Sequence, residues 1–196
     1  MRSKTLVLMT AALAVSALLA ACAGSYHIQT DAHDDGSIDY VLTNNEITVE
    51  GAAKYHAELN EFDDGNYMVE KRCYIDVRAH RSAEGTVEYW LILTYIAKDW
   101  LEIEKGRSLE LAIDRNEKVL TADSDLNREM DPSGDFITEI LEYPVDSDLL
   151  WKMVRAEAIL VNITGRQGEA KGYFNETNFA NLRQFAREYM EVSTVY

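Results

Sequence analysis

Residues 85–100, "GTVEYWLILTYIAKDW", decide the fold class. In an extended chain Val87, Tyr89, Leu91, Leu93 and Tyr95 share one face and Trp90, Ile92 and Ile96 the other, since side chains alternate with a period of two. Both sets are apolar, so this stretch is expected to be a central strand covered on both sides. Just upstream, "VEKRCYIDVRAH" (69–80) alternates Cys73, Ile75, Val77 and Ala79 with Tyr74, Asp76 and Arg78, the pattern of a half-buried strand. There Cys73 reads as a small buried hydrophobe rather than a catalytic thiolate activated by His80 or His56.

Downstream, "SLELAID" (108–114) alternates again, and "RNEKVL" (115–120) supplies a polar turn into a partner strand. "DFITEILEY" (135–143) reads as a further strand, stopped by Pro144, which has no N–H for a ladder. The last third changes period. "DSDLLWKMVRAE" (146–157) opens on the capping residues Asp146 and Ser147 and puts Leu150, Trp151 and Val154 at helical spacing, so a short helix is expected. "AILVNITGRQGEAKGYFN" (158–175) is a hairpin turning at Gly165 and Gly168. "NETNFANLRQFAREYMEV" (175–192) starts on Asn175 or Thr177 and repeats Phe179, Leu182, Phe185, Ala186 and Tyr189, an amphipathic helix whose stripe is a core contact rather than a cofactor box.

Strands and helices do not alternate regularly, which argues for an α+β fold: a curved antiparallel sheet packed with one short helix and a C-terminal helix. A β-sandwich with helical additions is the alternative. No internal repeat or second low-complexity block divides the chain, so residues 38–196 are expected to be a single globular domain. Ahead of it, "AGSYHIQTDAHDDGS" (23–37) is polar and rich in turn formers. Residues 22–37 are read as a flexible tether, with a span of roughly 20–25 Å for a coil of that length.

The first residues have the layout of a secretory signal: Arg2 and Lys4, then an apolar run from Leu6 to Ala21 that falls short of the ~20 residues a spanning helix needs. Leu19-Ala20-Ala21-Cys22 resembles a bacterial lipobox. That resemblance implies cleavage of signal peptide 1–21 between Ala21 and Cys22, a diacylglycerol on the Cys22 sulfur and acylation of the new amino terminus. Two or more chains hold a protein on a bilayer durably where one does not. Ala23 is not the Asp with which that family retains cargo in the inner membrane. The implied location is therefore the outer membrane, with the domain facing the periplasm. Residues 99–168 are also similar to a pattern in uncharacterised proteobacterial lipoproteins, carried by scattered aromatic, apolar and glycine positions over about a third of the chain; no activity comes with it.

Loss of residues 1–21 takes Arg2 and Lys4 from nineteen basic residues and none from thirty-four acidic ones, which leaves the mature chain at −17. Such a charge argues against nucleic acid and bare anionic lipid as partners. With Cys22 acylated, Cys73 has no partner for an internal disulfide.

Motifs for chemistry are sparse. There is no G-x-S-x-G, and His27, His33, His56 and His80 form no H-E-x-x-H and no close pair, so no catalytic, cofactor-binding or metal residue is assigned by spacing. "DAHDDGSIDYVL" (31–42) aligns Asp31, Asp35, Gly36, Ile38 and Asp39 with a calcium loop, yet His33 replaces an oxygen ligand and Leu42 the bidentate glutamate. "DSDLNREMDPSGD" (123–135) reads as a long surface loop, Glu102 and Glu104 as one face of a strand, and Asp63 and Asp64 as a turn before Gly65. The expectation is a membrane-anchored, non-enzymatic binding or accessory module with an envelope protein as partner. Two alternatives stand beside it. One is a carrier of a small apolar ligand, using Tyr89, Trp90, Tyr95 and Trp151; the other is an enzyme with an atypical site acting on envelope material.

Overall fold

The computed structural model describes residues 26–50, 54–56, 67–69 and 71–190; the signal stretch, Cys22 and the Asp63–Gly65 turn lie outside the described residues. Strand β7 (Val87–Ala97) pairs antiparallel along its length with β6 (Lys71–Arg81) and on its other edge with β11 (Ile137–Val145). It is central, as its composition demands. The remaining strands are β1 (His27–Ala32), β2 (Ile38–Thr43), β3 (Glu46–Val49), β4 (Lys54–His56), β5 (Tyr67–Val69), β8 (Arg107–Ile113), β9 (Asn116–Thr121), β10 (Asn127–Met130), β12 (Ile159–Gly165) and β13 (Gly168–Tyr173). One antiparallel sheet runs β10-β11-β7-β6-β3-β13-β12-β8-β9, with the β1–β2 hairpin attached to β6 beside β3; β4 and β5 form a separate pair.

This sheet curls into a half-barrel, and with helices α1 (Ser147–Arg155) and α2 (Glu176–Tyr189) it makes the expected α+β fold. The curl has a local cause. Leu42 of β2 lies opposite Val77 and Glu46 of β3 opposite Tyr74, so the β2–β3 side gains one residue on β6 between them. Asn44 takes it up with a positive φ of 60°. A bulge of this kind bends and twists its strand, and β3 leaves β6 to pair with β13. There a Cβ on Gly172 would lie 2.7 Å from the Thr48 carbonyl oxygen, so only glycine allows the two strands to close.

The inner face of the sheet and both helices share one core, which includes Ile75, Leu91, Leu93, Leu111, Tyr143, Met153 and Phe185. Asp146 caps α1 by accepting the Leu149 N–H at 2.7 Å, and Asn175 caps α2. No helix among the described residues is long and apolar enough to cross a membrane.

Four expectations need correction. Residues 27–32 are not tether: β1 pairs in register with β2 from His27↔Thr43 to Ala32↔Ile38, so the ordered domain begins before Ile38. Its polar composition reflects an exposed edge strand, which has no core face to fill. Strand β7 is covered on one face only, since Tyr89, Leu91, Leu93 and Tyr95 are buried while Trp90, Ile92 and Ile96 stay half-buried on the outside. Pro144 does not stop β11. The Glu142 N–H points away from β7 to Ser124 Oγ at 2.9 Å, and two residues on the proline nitrogen faces the same side, beyond the last β10 pairing at Ile140. Residues 123–135 are not all loop, because β10 forms an exposed edge strand within them.

Candidate functional site

Asp39 is the second residue of β2, and sheet register fixes what surrounds it. On β6 its cross-strand partner is His80. On β1 its partner is Asp31, after which the chain reverses through His33–Gly36; the Gly36 N–H bonds to the His33 carbonyl at 3.0 Å, and Gly36 has the positive φ of 84° that the turn requires. The hairpin thereby brings His33 back over Asp39. His80 Nδ1 lies 2.7 Å from Asp39 Oδ1, and His33 Nε2 lies 3.2 Å from Asp39 Oδ2. One nitrogen from each ring and one carboxylate oxygen all fall within 4.8 Å of one another.

The three side chains border an open ledge of about 430 Å³, whose rim adds Asp35, Ser37, Arg78, Glu88 and Trp90. Asp35 is fixed by accepting the Ser37 N–H at 2.9 Å and the Ser37 hydroxyl at 2.7 Å, and these bonds hold its carboxyl below the usual carboxylate range. Glu88 faces His80 across the β6–β7 pairing. Arg78 lies over the Trp90 ring at 4.6 Å and is gripped by both oxygens of Glu142 at 2.8 Å, which match its charge. Burial works to raise the Asp39 carboxyl, but hydrogen bonds from His80 and His33 outweigh it and leave the group below its ordinary range. Asp39 is therefore ionised at neutral pH. With Asp35 and Glu88 beside it, the ledge favours a cation.

The other sequence-derived candidates do not converge here. His27 lies at the far end of β1, and the side chain of His56 is outside the described residues. The calcium-like positions 31–42 are divided between two paired strands and the tight turn that joins them instead of wrapping round one loop; the Asp31 carboxylate takes the Gln29 amide at 2.8 Å. Glu102 and Glu104 do not share a strand face, since Glu102 has a positive φ of 56° and Glu104 pairs with Arg166. Cys73 is fully buried, and burial raises its thiol well above the ordinary range, as a packed hydrophobe requires. Of the rings offered for a ligand cavity, Tyr89 and Tyr95 belong to the core, Trp90 faces outward, and half-buried Trp151 carries Arg155 at 5.4 Å. The half-barrel interior is occupied by its own side chains.

The His33–Asp39–His80 set is hidden in the sequence because the polar composition of 22–37 reads as tether and the alternation of 69–80 ends at His80 without naming a partner. The available signal was Gly36 between two runs of alternating residues, which marks a hairpin. A larger ledge, about 530 Å³, lies at the opposite end of β7 beside residues 98–102 and mixes Lys71 and Lys98 with Asp99, Glu102 and Glu169. Among the described residues it carries no comparable set of donors. No protein-family model matches the chain, and neither a curated protein nor a solved structure matches it.

Proposed function

We propose that this chain is an outer-membrane lipoprotein, anchored through acylated Cys22, whose periplasmic domain is a non-enzymatic binding or accessory module with the His33–Asp39–His80 ledge as its binding end. The lipobox order Leu19-Ala20-Ala21-Cys22 supports the anchor. The observation that carries the rest is the β1–β2 hairpin, which starts at His27 and runs to its turn at 33–36. Residues 22–27, fully stretched, reach at most about 18 Å, and the six residues of β1 extend roughly 20 Å. The chain therefore enters the domain at the end of β1 opposite the ledge, which leaves the ledge free to face away from the headgroups. An open ledge suits binding better than catalysis, since it excludes no water from a reacting group.

Fractionation with intact-mass measurement tests the anchor. The mature chain should sediment with membranes, resist salt extraction and carry the mass of its acyl chains, and Cys22→Ser should release it into the soluble fraction. An unmodified residue 22 in the wild-type chain overturns the anchor. For the module, capture of the detergent-solubilised chain should recover an envelope protein in stoichiometric amount, and its recovery should fall on substitution at the ledge. Recovery of no partner counts against that half.

A further inference from the structure

We infer that His33, Asp39 and His80 bind a divalent first-row transition-metal ion of the zinc class. This deepens the reading of the ledge as the binding end by naming its ligand, and it is independent of the lipid. Two imidazole nitrogens and one carboxylate oxygen are a donor set for zinc, copper(II) or nickel(II), whereas calcium and magnesium take oxygen alone. The partial calcium-loop alignment of residues 31–42 already lacks an oxygen ligand at His33 and the bidentate glutamate at Leu42. In place of the oxygen ligand that such a loop needs, this hairpin supplies the imidazole of His33.

Geometry supports the assignment. Asp39 and His80 are held opposite each other by strand pairing and His33 is returned by a tight turn, so the donors are placed by backbone and not by a mobile loop. Their atoms lie within 4.8 Å of one another, against about 3.3 Å between ligands of a tetrahedral zinc with bonds of ~2.0–2.1 Å. His33 is exposed, so its side chain is free to rotate toward the other two donors. The ion takes the place of the two hydrogen bonds on Asp39: His80 Nδ1 and His33 Nε2 present lone pairs to the metal, and their protons move to the other ring nitrogen or to solvent. Asp35 and Glu88 add negative charge at the rim, while Arg78, which also lines it, is matched by Glu142. Water completes the coordination on the open side.

The test uses the full chain, purified without a histidine tag and stripped with a chelator, titrated with zinc chloride against a chromophoric competitor and, separately, with cobalt chloride. The expected result is one zinc per chain at micromolar affinity or tighter, with visible cobalt bands of a low-coordinate site. His33→Gln and His80→Gln should each weaken zinc on the order of tenfold or more. Glutamine can still donate to Asp39, so circular dichroism should be unchanged in both. His27→Gln, at the other end of β1, should bind as the wild type does. Cys22→Ser should also bind zinc fully, which separates this inference from the anchor. Three outcomes overturn the site: no saturable zinc binding below millimolar concentration, zinc retained by the His33→Gln/His80→Gln double variant, or calcium bound in preference to zinc.

Discussion

Asn178, in the first turn of α2, donates from Nδ2 to Asn45 Oδ1 at 2.9 Å across 133 residues of chain, and ties that helix to the bulge where the sheet turns its corner. Asn45 is fully buried and spends its own amide on the Ile75 carbonyl at 2.8 Å, while Asn181 donates to it at 3.2 Å. Asn178 also donates to the Glu46 carbonyl and accepts the Asn175 N–H. Asn178→Ala strands several of these groups away from water and should cost about 2–3 kcal/mol. It should appear as a lower urea midpoint with an unchanged slope. Asn178→Asp should cost at least as much despite its matching size, because it sets an acceptor against the Asn45 and Glu46 oxygens.

Asp76 makes the same corner sensitive to pH. Burial pushes its carboxyl up to about 6, although N–H groups of Asn45 and Asn44 pull the other way. An acid whose folded value exceeds its unfolded value of 3.8 favours the folded state when protonated. Its stabilising contribution is complete below 3.8 and is lost as pH rises through about 6. Asp76→Asn keeps an oxygen for the Asn45 N–H and removes the charge. Urea melts across that window should show a flatter pH dependence for the variant. Above pH 6 the variant should be more stable by about 1 kcal/mol, the shift being discounted for water at a half-buried group.

The periodic elements of this fold were legible because each has a buried face. The alternation in 71–81 and 87–97 and the helical stripe of 176–189 all report contact with one core, and the turn glycines 165 and 168 report the last hairpin. Two kinds of feature were not. Strands β1 and β10 are exposed edges, so their composition follows solvent rather than packing and resembles a loop. The histidine set depends on register between β1, β2 and β6, which three short patterns do not specify. Asn44–Asn45 lies between two short strands and carries no periodicity of its own. Its role as the bulge that curls the sheet comes from partners far away in the chain.

Glu139 holds the end of the half-barrel opposite the histidines. Its fully buried carboxylate accepts the N–H groups of Leu101 at 2.9 Å, Glu102 at 3.1 Å and Ile103 at 3.0 Å, so the crossing loop is pinned by backbone. On the far side the loop lies against Gly165, where a Cβ would meet the Leu101 carbonyl oxygen at 2.0 Å. Glu139→Gln puts an amide against at least one of those donors and should cost about 2–4 kcal/mol. Gly165→Ala should displace the same loop and cost about 1–3 kcal/mol by overpacking. In hydrogen exchange, both should accelerate the amides of residues 101–103 before those of β6 and β7. A uniform acceleration instead would mean that the loop unfolds only with the whole domain.

Thiol titration tests the packing of the core and the proposed anchor in one experiment. The chain has two cysteines, Cys22 and Cys73, and the second is fully buried with its thiol raised first by burial and then by the charges of Asp76 and Glu46. Because the thiolate is the reactive species, Cys73 should ignore an aromatic disulfide reagent while the domain is folded and react at once in guanidinium. A thioether at Cys22 has no thiol to offer. The native mature chain should therefore titrate as zero thiols and the denatured chain as one. A free Cys22 changes both numbers by one, with the extra thiol reacting before denaturant is added. A chain that gives one native and two denatured thiols keeps the buried strand and loses the lipid; one that gives one native and one denatured thiol keeps the lipid and loses the packing round Cys73.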